Sequence, residues 1–264
     1  LDFESLKKIK SFAQKIKITL FATPGDFQSL DVIKKLNFPA IKISSGLLTN
    51  EALICEIAKL KKPLILSTGM AYLNEIKKAV LILKKNKFKS YALLKCTSLY
   101  PCKPNLVNLK SIKNLEQIFQ KTPIGYSDHT LGIDTCIAAV ALGAKIIEKH
   151  LTLHKNLKVP DQKVSCDPRE FKKMVEKIRY TEKIIGEEYI FPTRDEIKKR
   201  SLYHRSIIVV KKILKGQNFN KNNIALKRSV GFKKGLHPKY FFKVLGKKSK
   251  KNLKNGTPLK KKYF

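Results

Sequence analysis

The first 150 residues alternate short runs of consecutive apolar residues with longer amphipathic stretches. Apolar residues that follow one another, instead of alternating with polar ones, are typical of parallel strands buried on both faces. Helix starts are predicted at Asn50 and Asp134. A repeating strand–helix unit predicts a parallel sheet with helices packed outside it. The predicted strands lie at 16–22, 40–44, 63–67, 91–96, 123–126 and 144–149, and the predicted helices at 29–36, 50–60, 73–84 and 109–120.

Polar residues and glycines directly follow every predicted strand. In a (β/α)8 barrel all strands end at one active-site face, whereas an open α/β sheet has its site at a single switch point. The pattern therefore favours the barrel. Six strands do not close a barrel of eight, so we expect a TIM barrel that lacks its first two βα units, before Leu1. The residues after the strands are T-P-G-D at 23–26, S-S-G at 44–46, S-T-G-M at 67–70, T-S at 97–98, S-D-H at 127–129 and His150.

The pattern changes near residue 190. We predict an incomplete TIM-barrel domain at 1–190, a charged linker at 191–202 and a small β-rich domain at 203–264. Strands of the small domain are predicted at 206–210 and 241–245, separated by turn signals at Gly216 and Pro238. About 60 residues bury little core of their own, so this domain is expected to lean on a neighbour.

Composition narrows the class of protein. No run of 18 apolar residues occurs, which predicts no membrane-spanning helix, and the amino terminus does not read as a signal peptide. The 5 cysteines are scattered and form no C-x-x-C pair, so neither a disulfide framework nor a zinc site is indicated. We interpret them as reduced thiols of a cytoplasmic protein.

The formal net charge of +36 leaves two interpretations open. A strongly basic chain can bind nucleic acid. However, nearly all of its cations are lysines, whereas arginine is the usual bidentate reader of phosphates and bases. We therefore expect no nucleic-acid partner, and expect the positive field to attract anionic metabolites.

His129 and His150 each follow a predicted strand and are one βα unit apart. Neighbouring barrel strands would bring both imidazoles to the same rim, where oxygen ligands or water could complete a divalent metal site with open positions. Two structural histidines would give the same pattern. The pair alone does not decide between these interpretations.

Several longer motifs resemble those of the N-acetylneuraminate (sialic acid) synthase family. They are G-Y-S-D-H-T at 125–130, A-L-G-A-K-I-I-E-K-H-L-T at 141–152, T-P at 23–24, K-I-S-S-G at 42–46, S-T-G-M at 67–70 and C-T-S-L-Y-P at 96–101. The segments R-S-I at 205–207, K-G at 215–216, K-R-S-V-G at 227–231 and L-G-K at 245–247 resemble the family's C-terminal antifreeze-like (SAF, β-clip) domain. The resemblance covers essentially the whole chain.

The resemblance implies a transferase that condenses phosphoenolpyruvate with an N-acetylated hexosamine, N-acetylmannosamine, to give N-acetylneuraminate and phosphate. It implies that His129 and His150 bind a divalent metal, Mn²⁺ first and Mg²⁺ or Co²⁺ as alternatives, and that Lys42 and Glu148 complete the catalytic group. Asp128 or Glu148 would orient a histidine. Legionaminate or pseudaminate synthase activity, or a non-catalytic remnant acting as a dimerising module, are alternatives.

Further residues are expected to bind substrate. Lys42 lies inside an apolar strand, where an ammonium is costly without an anionic partner. Asp161 lies in V-P-D-Q where the family has G-P-D-H, so the sequence does not name the sugar. The resemblance implies a domain-swapped homodimer in which Arg228 reaches the partner's sugar site. The full substrate-binding set is Thr23, Lys42, Ser45, Ser67, Gly69, Ser98, Tyr100, Ser127, Asp161 and Arg228.

The family's A-E-I-G and K-F-Q segments, which carry an active-site glutamate and lysine, do not occur in these 264 residues. The chain alone is therefore expected to be inactive.

Overall fold

The computed structural model describes residues 2–228 and 234–264. Its centre is a parallel sheet in which each strand pairs with the next along the chain, in the order β1-β2-β3-β4-β5. This sheet curls into a half-barrel, which confirms the prediction of a TIM-barrel-type α/β fold. The strands are β1 (Ile41–Ile43), β2 (Leu64–Ser67), β3 (Tyr91–Cys96), β4 (Ile124–Asp128) and β5 (Ile147–Lys149).

Helices connect the strands, as the apolar spacing predicted. Asn50 begins the helix after β1, because its side-chain oxygen accepts a hydrogen bond from the Leu53 amide at 3.1 Å. That helix buries Leu53, Ile54 and Ile57 against the sheet. The helices of this region are α1 (Phe3–Lys15), α2 (Phe27–Lys35), α3 (Glu51–Lys59), α4 (Leu73–Lys85), α5 (Ser111–Ile118), α6 (Asp134–Ala141) and α7 (Pro168–Ile185).

The predicted strand at 16–22 is wrong in extent. Within the described residues this segment contributes a single parallel bridge, between Ala22 and Ile41, and the Lys42 amide donates to the Ala22 carbonyl at 3.0 Å. Ile16 and Ile18 are exposed instead of buried. Consecutive apolar residues indicate burial on two faces, but this segment lies beside β1 with no further described strand on its outer side.

Alternation along the strands separates two environments. Ile41, Ile43 and Leu66 belong to the apolar core between sheet and helices. The residues that alternate with them, Lys42 and Ser67, leave the sheet on its inner face. The register pairs Cys96 with Ser127 and Ser127 with Glu148, so three neighbouring strands present polar or thiol side chains at one level of the inner face.

The chain divides into two compact units, Leu1–Gly186 and Glu187–Phe264. The second contains α8 (Arg194–Tyr203), the antiparallel strands β6 (Arg205–Val209) and β7 (Ile224–Arg228), and α9 (Phe241–Val244). It has an apolar core of its own, to which Ile207, Phe219 and Ile224 contribute.

Two predictions for the second unit need correction. The segment predicted as a linker contains the helix α8, which begins with a capping box between Thr193 and Glu196. The strand predicted at 241–245 is the short helix α9. Pro238 opens a 3₁₀ turn there, since proline fixes φ near its helical value, and the turn continues directly into α9.

Within the described residues, no helix combines the length and the apolar character that crossing a membrane would require.

Candidate active site

A cavity of about 520 Å³ lies at the carboxyl ends of the strands, the face at which barrel enzymes carry their active sites. Most of its lining comes from residues that directly follow β1 to β5 or end them. The lining residues are Lys42, Ser44, Ser45, Gly46, Ser67, Met70, Cys96, Ser98, Tyr100, Ser127, His129, Glu148 and His150.

The imidazoles of His129 and His150 lie side by side, with ring centroids 5.2 Å apart. Tyr100 covers them, at 4.0 Å from the His129 ring and 5.7 Å from the His150 ring. The prediction that neighbouring strands bring both rings to one rim is therefore met in geometry. Burial lowers the pKa of His150, and the neighbouring His129 adds to the effect, so its imidazole favours the neutral form that metals bind.

Thr97 fixes the tautomer of His129. The His129 Nδ1 atom lies 3.1 Å from the Thr97 carbonyl oxygen, which can only accept, so Nδ1 carries the proton and donates it. The lone pair is then on Nε2. An imidazole held in this way by a backbone carbonyl is the usual arrangement of a metal-binding histidine.

Cys96 lies against the same imidazole, with its Sγ atom 3.7 Å from His129 Nδ1. Burial raises the pKa of the Cys96 thiol, but hydrogen bonds with His129, Ser45 and Ser98 outweigh it and bring the pKa to about 7. For His129 the burial effect lowers the pKa, and the contact with Cys96 outweighs it and raises the value.

Lys42 has an anionic partner within the chain. Its Nζ atom lies 3.3 Å from Glu148 Oε1, and the Lys42 side chain is 16% exposed. The Ser127 hydroxyl donates to the same carboxylate oxygen at 2.7 Å. Burial of Lys42 therefore does not by itself require a bound anion, because Glu148 compensates the charge within the chain. The pair nevertheless places an ammonium and a hydroxyl on the cavity wall.

Two features of the cavity indicate room for a polar ligand. Ser67 Oγ is buried and has no hydrogen-bond partner among the described residues. Gly69 lies between the hydroxyls, and its amide donates to Ser45 Oγ at 3.0 Å. A Cβ atom at Gly69 would lie 2.2 Å from Ser98 Oγ and 2.7 Å from Ser45 Oγ.

Asp128 does not orient a histidine. It leaves β4 on the outer face, where its carboxylate accepts from Lys149 Nζ at 2.7 Å and from the Tyr126 hydroxyl at 2.8 Å. Both side chains of the Asp128–Lys149 pair are fully buried. Lys149 also donates to the Thr130 carbonyl at 2.6 Å. This ion pair joins the ends of β4 and β5, one residue before each histidine.

Two imidazoles that face one cavity suit a divalent ion that keeps several positions open for substrate or water. Within residues 2–228 and 234–264, no group of three or more His, Cys, Asp or Glu side chains could hold a metal ion. Any ion held by His129 and His150 would therefore take its other ligands from water, substrate or single oxygen donors.

Comparison with known proteins identifies the lineage. A model of the NeuB family matches residues 1–189, and a model of the SAF domain matches residues 204–264. The chain belongs to the NeuB family. It is therefore a member of an enzyme family of acid synthases, as the motifs predicted.

The relatives of this NeuB-family chain are spread over several acid synthases. The N,N'-diacetyllegionaminic acid synthase of Campylobacter jejuni is 41% identical over 256 residues, which are 96% of this chain and 75% of that protein. The pseudaminic acid synthase of Helicobacter pylori is 39% identical over 248 residues, 94% of this chain and 72% of that protein. The solved structure of N-acetylneuraminic acid (sialic acid) synthetase from Leptospira borgpetersenii in complex with citrate is 36% identical. The two structures superpose with a TM-score of 0.72, and the match covers 77% of this chain and 72% of the Leptospira chain.

Among the residues predicted to bind substrate, Thr23 and Asp161 do not line the cavity that holds the histidines. Thr23 is exposed. Asp161 lines a neighbouring cavity, and Tyr100 lines both. Arg228 is exposed on β7 in the second unit, with its guanidinium 5.2 Å from the centre of the Tyr203 ring. Its motif partners Ser229 and Gly231 lie outside the described residues.

Sequence reasoning missed Cys96 as a cavity residue. The signal was present, because strand alternation places Cys96 on the same face as Ala92 and Leu94, and its position at the end of β3 aligns it with Ser127. The same rule excludes Asp128 from the inner face, because it alternates with Ser127.

Proposed function

We propose that this NeuB-family chain, once supplied with the family's A-E-I-G and K-F-Q segments, condenses phosphoenolpyruvate with the open-chain aldehyde of an N-acetylated hexosamine. The products are a nine-carbon sialic-acid-type 2-keto acid and inorganic phosphate. One observation carries the proposal: His129 and His150 share a cavity with the Lys42–Glu148 pair, at the ends of adjacent parallel strands. This geometry supports placing a carbonyl oxygen beside the imidazoles and an anion beside the ammonium.

The reaction proceeds in two steps. The C2–C3 double-bond electrons of phosphoenolpyruvate form the new bond to the aldehyde carbon, and the aldehyde oxygen takes up its own π pair and a proton. Water then adds to C2 and loses one proton to Glu148, which balances the proton taken up by the aldehyde oxygen. The bond between C2 and the phosphate oxygen then breaks, phosphate leaves with the bonding pair, and the C2 hydroxyl passes its proton to the phosphate as it becomes the keto group.

His129 and His150 are the proposed metal ligands, and Mn²⁺ is the proposed ion, with Mg²⁺ and Co²⁺ as alternatives. When bound, the ion would supply Lewis-acid polarisation of the aldehyde oxygen. The chain's own contribution is to hold both imidazoles in position, His129 through Thr97 and both rings through Tyr100.

Phosphoenolpyruvate carries phosphate and carboxylate charge, for which the cavity offers one ammonium and several hydroxyls. Lys42 is the proposed cationic contact. Ser45, Ser67, Ser98 and Ser127, together with the Gly69 segment, are the proposed neutral donors, and the unpartnered Ser67 hydroxyl supports this role.

The acceptor sugar is the least constrained part of the proposal. N-acetylmannosamine is the acceptor that the motifs imply. The C. jejuni and H. pylori relatives are named for diacetylated legionaminic acid and pseudaminic acid, which favours a diacetamido sugar as the second candidate. Asp161 and Tyr100 would contact the sugar from the neighbouring cavity, and Thr23 remains a proposed contact.

Arg228 is proposed to act in a domain-swapped homodimer, on the sugar bound by the partner subunit. Its exposed position at the end of β7 supports this role. A cytoplasmic location is also proposed, since all 5 cysteines are free thiols.

The test uses the chain extended by the family's A-E-I-G and K-F-Q segments. This protein is offered phosphoenolpyruvate, Mn²⁺ and either N-acetylmannosamine or a diacetamido sugar, and phosphate release is measured together with the mass of the product. His129→Gln and His150→Gln should each lower the rate by more than about 100-fold, because even residues that only orient metal ligands contribute 10–100-fold. The exposed His204→Gln is the matched control. Full activity in the double variant His129→Gln/His150→Gln would overturn the proposal.

A further inference from the structure

A second cavity, of about 530 Å³, lies on the outer side of the sheet between β3, α4 and α5. Apolar side chains from the two helices and the loop after β3 form part of its wall, among them Ile76, Leu106 and Leu115. Polar side chains, among them Asn108 and Ser111, form much of the rest. Its volume is in the range of small-molecule sites, which combine apolar walls with a few polar groups.

The cavity has an apolar rim that water contacts. Met70 is 72% exposed, and Leu73, Leu99 and Leu106 at the same opening are also exposed. Several exposed large apolar residues grouped at one opening mark a surface suited to an apolar ligand body.

One cation, Lys95, lies at the floor of this cavity. Its Nζ atom donates to the Cys96 carbonyl at 2.9 Å and to Thr97 Oγ1 at 2.8 Å. An ammonium has three donors, so one remains for a ligand. Within the described residues Lys95 makes no salt bridge, unlike Lys42, and burial lowers its pKa. A half-buried cation without an anionic partner is stabilised by an incoming anion.

The two cavities adjoin one another. Three residues line both of them, namely Met70, Cys96 and Ser98. Lys95 donates to the Cys96 carbonyl and to the Thr97 hydroxyl from the outer side, and His129 Nδ1 donates to the Thr97 carbonyl from the inner side. Lys95 therefore contacts Cys96 and Thr97, the two residues that also contact the His129 imidazole. A ligand that pairs with the Lys95 ammonium acts on both of them.

We propose that this outer cavity binds a small monocarboxylate with an apolar body, whose carboxylate pairs with Lys95 and whose presence is transmitted to His129 through Thr97. The carboxylate fits the single ammonium, and the apolar body fits the walls between α4 and α5. The two proposed ligands have different cationic contacts, Lys95 for the monocarboxylate and Lys42 for phosphoenolpyruvate.

The test titrates 3-phenylpropionate and its neutral amide, 3-phenylpropionamide, into the protein by calorimetry. The acid should bind at least tenfold more tightly than the amide. Lys95→Met should reduce the acid to the affinity of the amide, whereas Lys77→Met, an exposed lysine on α4 outside the cavity, should change nothing. Equal binding of acid and amide, no binding of either, or full binding to Lys95→Met would overturn the proposal.

Two further measurements establish which cavity holds the acid. Asn114→Phe, on the outer surface of α5, should fill the outer cavity and block the acid even if Lys95→Met fails to fold. Excess phosphoenolpyruvate should not displace the acid, and displacement would place the acid in the inner cavity and overturn the proposal.

The link to His129 has its own readout. The Nδ1 nitrogen signal of His129, assigned by its loss in His129→Gln, should shift when the acid saturates the protein. Binding without any shift would overturn the transmitted part of the proposal. Neither outcome depends on catalysis, so a failed activity assay and a failed binding assay remain distinguishable.

Discussion

Gly69 lies where the hydroxyls of the inner cavity converge, and its lack of a side chain keeps them in place. Ser45 accepts from its amide, and Ser98 lies on the other side of the space that a Cβ atom would enter. Because both neighbours are short hydroxyl side chains that can rotate, a methyl group there would displace them more than it would strain the backbone.

Gly69→Ala should therefore lower the free energy of unfolding by about 1 kcal/mol, the low end of overpacking costs, and weaken phosphoenolpyruvate binding. Urea denaturation and calorimetry measure the two effects. Gly25→Ala is the control, since nothing lies within 4 Å of its Cβ position and its φ is not positive. An unchanged phosphoenolpyruvate affinity in Gly69→Ala would contradict the prediction.

The Asp128–Lys149 ion pair is shielded from water, because both of its side chains are fully buried. Removing one partner leaves the other uncompensated, which costs far more than the pair itself contributes. The pair lies directly behind the two histidines, so its loss should affect both stability and the site.

Lys149→Met should lower the free energy of unfolding by about 3–5 kcal/mol, measured by urea denaturation. Asp128→Asn in the same chain should recover part of that loss. Lys198→Met is the control, because the Lys198–Asp195 pair is exposed and should contribute less than about 1 kcal/mol. Equal losses in the two lysine variants would show that burial of the pair has no energetic consequence.

Much of the inner face could be predicted from the sequence, because barrel strands alternate and end at one rim. His129, His150, Lys42 and Glu148 all line the cavity as expected. The internal pairing of Lys42 could not be predicted, since it joins β1 to β5, the two ends of the described sheet, and depends on how far the sheet curls.

At the scale of elements, the helix start predicted at Asn50 is confirmed by its cap, whereas the start of α7 was not predicted. Asp167 begins α7: its carboxylate accepts from the Glu170 amide at 2.8 Å, and Pro168 occupies the first turn. For short apolar segments, the sequence did not distinguish a strand from a helix. Residues 241–245 fit a buried strand or a helix equally well, and the preceding Pro238 turn decided for the helix.

Asp167→Ala should destabilise α7 and lower the free energy of unfolding by about 1 kcal/mol. The matched control is Asp134→Ala at the start of α6, where the N-cap residue Ile133 makes no side-chain cap hydrogen bond. Thermal denaturation followed by circular dichroism compares the two. A larger loss for Asp134→Ala would refute the assignment of the cap.

At the scale of the molecule, two apolar cores lie in two compact units. Leu66 is fully buried in the first core and Ile224 in the second. The end of the strand–helix pattern near residue 190 predicted two domains. The helix within the predicted linker was missed, because the charged composition of the segment obscures the capping box between Thr193 and Glu196.

Leu66→Ala and Ile224→Ala should each lower the free energy of unfolding of the unit that carries the change by about 2–5 kcal/mol. Denaturation followed by hydrogen exchange should show lost protection confined to the unit that carries the change. Loss spread evenly over both units by either variant would show that the cores unfold together.

The position of Asp161 has a consequence for how such enzymes diversify. Its segment lines a cavity that only Tyr100 shares, within the described residues, with the one that holds the imidazoles. If the Asp161 segment selects the acceptor sugar, exchanging this segment between relatives should change which sugar is accepted. Phosphoenolpyruvate binding should stay the same. With the acceptor and phosphoenolpyruvate bound in different cavities, one scaffold could make different products through loop exchange alone.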